Sequence, residues 1–119
     1  MNITKIFNIK GASQEFTQSP QLDRKGKNMI LSYDYETETG EYSLMGIVFC
    51  EVIACKITKV ICEELYMIES YDAVSILNDS KWLNEIKNAY NGEDIFNYNH
   101  YIIYFEDYGC YEFIAKSVS

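Results

Sequence analysis

The sequence predicts an α+β domain: a mainly antiparallel sheet with one principal helix packed on a face. Three observations carry that prediction. Apolar residues alternate with period 2 in several short segments, whereas a helical period is sustained over only one. Strands do not alternate with helices as a parallel βαβ sheet requires. The 119 residues fit a single domain spanning 1–119, long enough to bury a core without a disulfide or metal staple.

Taken in order, Ile3–Lys10 places Ile3, Phe7 and Ile9 against polar neighbours, the pattern of a half-buried strand. Residues 11–28 (GASQEFTQSPQLDRKGKN) are polar and broken by Pro20 and Gly26, which predicts a long surface loop. Met29, Leu31, Tyr33 and Tyr35 then alternate with Ile30, Ser32, Asp34 and Glu36, the clearest strand signal in the chain. Thr37-Glu38-Thr39-Gly40 supplies a turn, with Gly40 free to take a positive φ. Tyr42–Ile57 is apolar on both faces, which predicts one central or doubly covered strand with a bulge at Gly46.

Cys62, Leu65, Tyr66 and Glu69 have helical spacing within 58–71, predicting a short helical turn, and Ala73–Leu77 reads as a strand. Asp79-Ser80 offers a side-chain oxygen to the orphan N–H groups of a following helix. Trp82, Leu83, Ile86 and Tyr90 form the apolar stripe of that helix, and Asn91-Gly92 ends it. Tyr101–Phe105 and Cys110–Ala115 flank Glu106-Asp107-Tyr108-Gly109, a hairpin with Gly109 in the left-handed conformation.

Composition narrows the function classes. Hydrophobic residues at 48% and aromatic residues at 15% exclude a chain too polar to fold. The formal charge of −8 repels phosphate backbones and anionic membrane surfaces, so neither nucleic acid nor a membrane is an expected partner. The same field would steer a basic protein towards the chain. No apolar run is long enough to span a bilayer, and MNITKIFNIK has no signal-peptide core, so a cytoplasmic location with reduced thiols is expected. One Arg against nine Lys, with abundant Ile and Asn, is the usage of an AT-rich bacterial genome.

Candidate chemistry is sparse. His100 is the sole histidine, and a turn at 106–109 sets it near Lys116 and far from Cys110. A Cys–His nucleophile is therefore not expected, and His100 reads as a surface or loop-anchoring residue. Cys50 and Cys55 have a zinc-compatible gap but point to opposite faces if they share a strand, and Cys62 and Cys110 have no close partner. No phosphate loop, dinucleotide fingerprint, nucleophile elbow or zinc-protease motif occurs, so no catalytic residue, metal or cofactor is expected. Asp34, Glu36, Glu38 and Glu41 read as a solvated acidic face.

Tyrosine is the one surplus, at eleven residues. Tyr buries area at low entropic cost and keeps a hydroxyl for a rim, which enriches it at interfaces. Tyr33, Tyr35, Glu36, Tyr104, Glu106, Asp107 and Tyr108 are thus the expected interaction residues, although β-propensity alone also favours Tyr in strands.

Tyr71-Asp72, Asn78-Asp79-Ser80-Lys81-Trp82-Leu83, His100-Tyr101-Ile102-Ile103-Tyr104-Phe105 and Gly109-Cys110-Tyr111-Glu112-Phe113-Ile114-Ala115 resemble the pattern of a group of small uncharacterised bacterial proteins. The resemblance covers 62–117. That group is similar in size, charge and style to immunity proteins that neutralise bacterial toxins. The resemblance carries no catalytic residue across. The acidic charge, the surplus of Tyr and the absence of catalytic motifs lead to the expectation of a non-enzymatic interaction protein, such as an immunity-type inhibitor of a basic partner like a nuclease toxin. Two readings from other classes stand beside it: a small-molecule site between the sheet and the Trp82 helix, and an enzyme using His100 with nearby carboxylates.

Overall fold

Alternation along each strand decides which side chains enter the core, and here it does so for two sheets. The structure, a computed structural model, describes residues 3–9, 20–58, 73–89, 97–105 and 108–119. Its elements are β1 (Ile3–Asn8), β2 (Gln21–Lys25), β3 (Asn28–Glu36), β4 (Tyr42–Cys50), β5 (Ala54–Thr58), β6 (Ala73–Leu77), α1 (Lys81–Ala89), β7 (Asn99–Phe105), β8 (Gly109–Ala115) and β9 (Ser117–Val118). Five strands form one sheet in the order β1-β6-β7-β8-β5, and four form a second in the order β2-β3-β4-β9. Every pairing is antiparallel.

The odd positions of β3, β4, β7 and β8 face one another between the sheets. Leu31, Tyr33, Ile47 and Phe49 from the smaller sheet pack on Tyr101, Ile103, Phe105, Tyr111 and Phe113 from the larger. Phe49 stacks on Phe113 with ring centroids 3.9 Å apart, and Tyr33 tilts against Phe105 at 5.5 Å. The other face of the larger sheet takes α1, through Leu83 on Ile114 with Trp82, Ile86 and Ala54 around them. The described residues are therefore mostly antiparallel strand with one helix, as predicted. The architecture has two sheets where one was expected.

The second sheet arises from two departures. Residues 21–25 are strand, not loop: Gln21–Lys25 pairs with Ser32–Asn28 across a turn at Gly26-Lys27. QLDRK shows no apolar alternation because only Leu22 packs on the core, so the partner strand supplies the order that its own pattern lacks. Residues 10–19 lie outside the described residues.

Tyr42–Ile57 is likewise two strands rather than one. The break falls at Glu51, whose φ of 52° turns the chain out of the smaller sheet and into the larger. Beside it, Lys116 makes the return crossing from β8 to β9, donating its N–H to the Cys50 carbonyl at 2.9 Å. No bulge forms at Gly46, which pairs in unbroken register with Ser32. The expected helical turn within 58–71 has Thr58 at the end of β5, and the rest lies outside the described residues. No described helix is long and apolar enough to cross a membrane.

Candidate functional site

Ser80 performs the capping role that its position predicts. Its Oγ accepts the Leu83 N–H at 3.0 Å, while its carbonyl accepts the Asn84 N–H at 3.1 Å and opens α1. Asp79 precedes it with φ 56°, a conformation that Asp tolerates better than most side chains.

The same hydroxyl meets His100. In the terminal hairpin His100 pairs with Ile114, and Phe105 pairs with Gly109, so three residues rather than four span the loop. The expected pairing near Lys116 is off by two positions. A four-residue turn at 106–109 would set His100 opposite Ala115, and Gly109, at φ 101°, already belongs to the ladder, which moves the partner one further to Ile114. The true register sets Glu112 diagonally beside His100 on the face that carries α1. His100 Nε2 lies 2.8 Å from Glu112 Oε1, and His100 Nδ1 lies 2.6 Å from Ser80 Oγ.

With a neutral imidazole and a carboxylate at Glu112, which can only accept, the Nε2 proton lies in that bond and Nδ1 accepts the Ser80 hydroxyl. The three groups form one directed chain that ends at the helix cap. Trp82 lies edge-on over the imidazole at 5.2 Å, and Lys56 Nζ sits 4.5 Å over the indole and 3.8 Å from Glu112 Oε2.

Serine, histidine and glutamate in hydrogen-bonded series are the residue types of an acyl-transfer triad. The arrangement here does not present a nucleophile. Ser80 is 4% exposed, His100 2% and Glu112 0%, and the Ser80 hydroxyl is engaged both with His100 Nδ1 and as acceptor from the Leu83 N–H. What these groups do is fasten the start of α1 to the middle of the larger sheet. His100 is thus an anchor, as one expectation had it, but in the core and not at the surface.

The expected interaction residues divide by position. Tyr33, Tyr35 and Tyr104 are buried, because their strands turn those positions towards packed neighbours; they fill the interior and are absent from the surface. Tyr108 is half-buried against the core, and Glu36 is exposed at the end of β3. Glu106 and Asp107 lie outside the described residues. Asp34 is buried as well, not solvated.

Exposed aromatic and acidic residues meet instead at the far end of the β3–β4 hairpin. Glu36, Glu38 and Glu41 are exposed there, and Tyr42 and Leu44 project outward at 51% and 67% exposure. Gly40, at φ 83°, and the Thr37 N–H bond to the Glu41 carbonyl at 2.7 Å close the turn. Residues 28–55 contain five carboxylates and no Lys, Arg or His. The opposite end of β3 carries Arg24, Lys25 and Lys27, about 27 Å away for a strand of nine residues. The smaller sheet is electrically polarised along its length.

The three described cysteines are dispersed, and Cys62 lies outside the described residues. Cys50 and Cys55 stand in different sheets, so the odd spacing that set them apart in a single strand is replaced by a change of sheet; Cys110 is buried beside Ile102 and Tyr104. Burial pushes the Cys55 thiol above its ordinary range, with Arg24 pulling it down and Glu112 adding to the rise. Burial also raises Tyr111, helped by Cys55 and Tyr108. Among the described residues no group of three or more His, Cys, Asp or Glu is placed to hold a metal ion. No protein-family model, curated protein or solved structure matches the chain.

Proposed function

We propose that the chain is a non-enzymatic interaction protein of the immunity type, which binds and blocks a basic protein such as a nuclease toxin. One observation carries the reading: the β3–β4 hairpin end joins three exposed carboxylates to exposed Tyr42 and Leu44, with no cation nearby in the sequence. Complementary charge speeds encounter, and apolar anchors inside a charged rim hold the complex. The burial of Ser80 and His100 favours this reading over hydrolysis.

The test is a pull-down from the source cell with the natural chain and with a Glu36→Lys/Glu38→Lys/Glu41→Lys variant. The natural chain should retain a basic protein in a salt-sensitive manner, and the variant should lose it. Equal recovery by both chains, or recovery of no basic protein at low salt, sinks the reading.

A further inference from the structure

Among the described residues, the smaller sheet leaves one strand half covered. β9 meets β4 only at Phe49↔Val118 and Cys50↔Ser117, and Val48 completes that ladder by exchanging both backbone bonds with Ser119 at 2.9 Å. Backbone groups of alternate residues point to the same edge of a strand. The N–H and C=O of Gly46, Leu44 and Tyr42 therefore point the way Val48 does, and no described strand meets them there.

The other edges are guarded by means that keep sheets from pairing with foreign strands: charge, irregularity or shortness. β1 carries Lys5 and a register shift between Lys5 and Phe7. β2 carries Asp23, Arg24 and Lys25, and β5 is five residues long with Lys56 at its centre. β4 has none of these from Tyr42 to Ile47. It contains no charge and no proline there, and its register with β3 is unbroken from Glu36↔Tyr42 to Met29↔Phe49.

We propose that the Tyr42–Gly46 edge of β4 is a strand-addition site that takes an extended segment of a basic polypeptide. The proposal rests on the basic-partner reading and gives it a mode of docking. An added strand would satisfy the outward amides and carbonyls, and its own side chains would lie beside Tyr42 and Leu44 on one face. Its end would run alongside Glu41 and Glu38, which selects Lys or Arg at that position. A second copy is disfavoured as occupant, since it would bring together two chains of formal charge −8.

The probe is a blocked six-residue peptide alternating Lys and Val, together with the same peptide methylated at every backbone amide, which keeps the charge but cannot donate. Amide NMR of the full chain should show slowed exchange at Leu44 and Gly46 with the first peptide. Binding of the methylated peptide should be weaker by at least about tenfold, because charge does not replace lost backbone hydrogen bonds. Leu44→Pro, which removes one outward N–H at an edge position that tolerates proline, should abolish binding of the first peptide.

Equal binding of the two peptides would overturn strand addition while leaving the basic-partner reading intact, since charge alone would then suffice. No binding of the unmethylated peptide would overturn it too, and the pull-down above judges the partner reading separately. Sedimentation as a dimer with Leu44 and Gly46 protected in the absence of peptide would make a second copy the occupant and overturn the proposal.

Discussion

Replacing Ser80 separates two roles that one hydroxyl plays. Ser80→Ala removes the helix cap, worth about 1 kcal/mol, and leaves His100 Nδ1 buried without its partner, worth a further 1–3 kcal/mol or so. The sum is about 2–4 kcal/mol. Unfolding entropy scales with length, near 0.25 kcal/mol per degree for 119 residues, so a loss of about 3 kcal/mol lowers Tm by roughly 12 °C. Ser80→Gly tells the roles apart. Glycine caps nearly as well as serine, at a cost of only a few tenths, but offers nothing to the imidazole. The glycine variant should therefore still lose about 1–3 kcal/mol. Urea and thermal unfolding followed by circular dichroism measure both variants. A glycine variant within about 0.5 kcal/mol of the natural chain would refute the coupling of the cap to His100, leaving the hydroxyl as a cap alone.

Other perturbations read the core, the hairpin and the titrating groups. Phe49→Ala opens a hole against Phe113 and Tyr101 and should cost about 3–5 kcal/mol in urea unfolding. Gly109→Ala forces a side chain into φ 101° and should lower stability by about 1 kcal/mol or more, measured the same way. Cys55 and Tyr111 hold their protons more tightly when folded than at their ordinary values of 9.0 and 10.0. The unfolded chain thus releases those protons first, so their contribution is whole below pH 9 and is lost as pH climbs through the raised folded-state values. Urea midpoints should fall across that alkaline range, and Cys55→Ala with Tyr111→Phe should flatten the decline. For the same reason Cys55 should react slowly with a thiol reagent at pH 8 and quickly once unfolded.

Local signals were legible where local chemistry decides structure. The Ser80 cap, the Trp82–Leu83–Ile86 stripe, the strand at Ala73–Leu77 and the terminal hairpin each follow from a few neighbouring residues. β2 was illegible because its order comes from pairing with β3, and its side chains carry almost no trace of that. The break at Glu51 was hidden within Cys50-Glu51-Val52-Ile53, a run whose apolar residues serve two sheets in succession.

The Ser80–His100–Glu112 chain had one visible sign, a glutamate within the apolar strand Cys110–Ala115. Reading it required the hairpin register to the residue, and an error of two positions moved His100 away from its partner. Burial of Tyr33, Tyr35 and Tyr104 was equally invisible, since alternation assigns faces but does not say whether a second layer covers them.

The corner where the chain changes sheets ties the two layers through adjacent residues. Val52 donates its N–H to the Lys27 carbonyl at 2.8 Å and receives Arg24 on its own carbonyl at 3.3 Å, both from the smaller sheet. Ile53, its neighbour, donates to Ile114 of the larger sheet at 2.9 Å. One peptide link is thus a seam sewn on both sides, and neither layer can peel away without tearing the other's stitches. Opening the smaller sheet, where a partner strand would bind, is then coupled to loss of the larger. Amide exchange in the interiors of both sheets should report a single global opening, so that a ligand gripping the β4 edge would tighten residues on the far layer that it never touches.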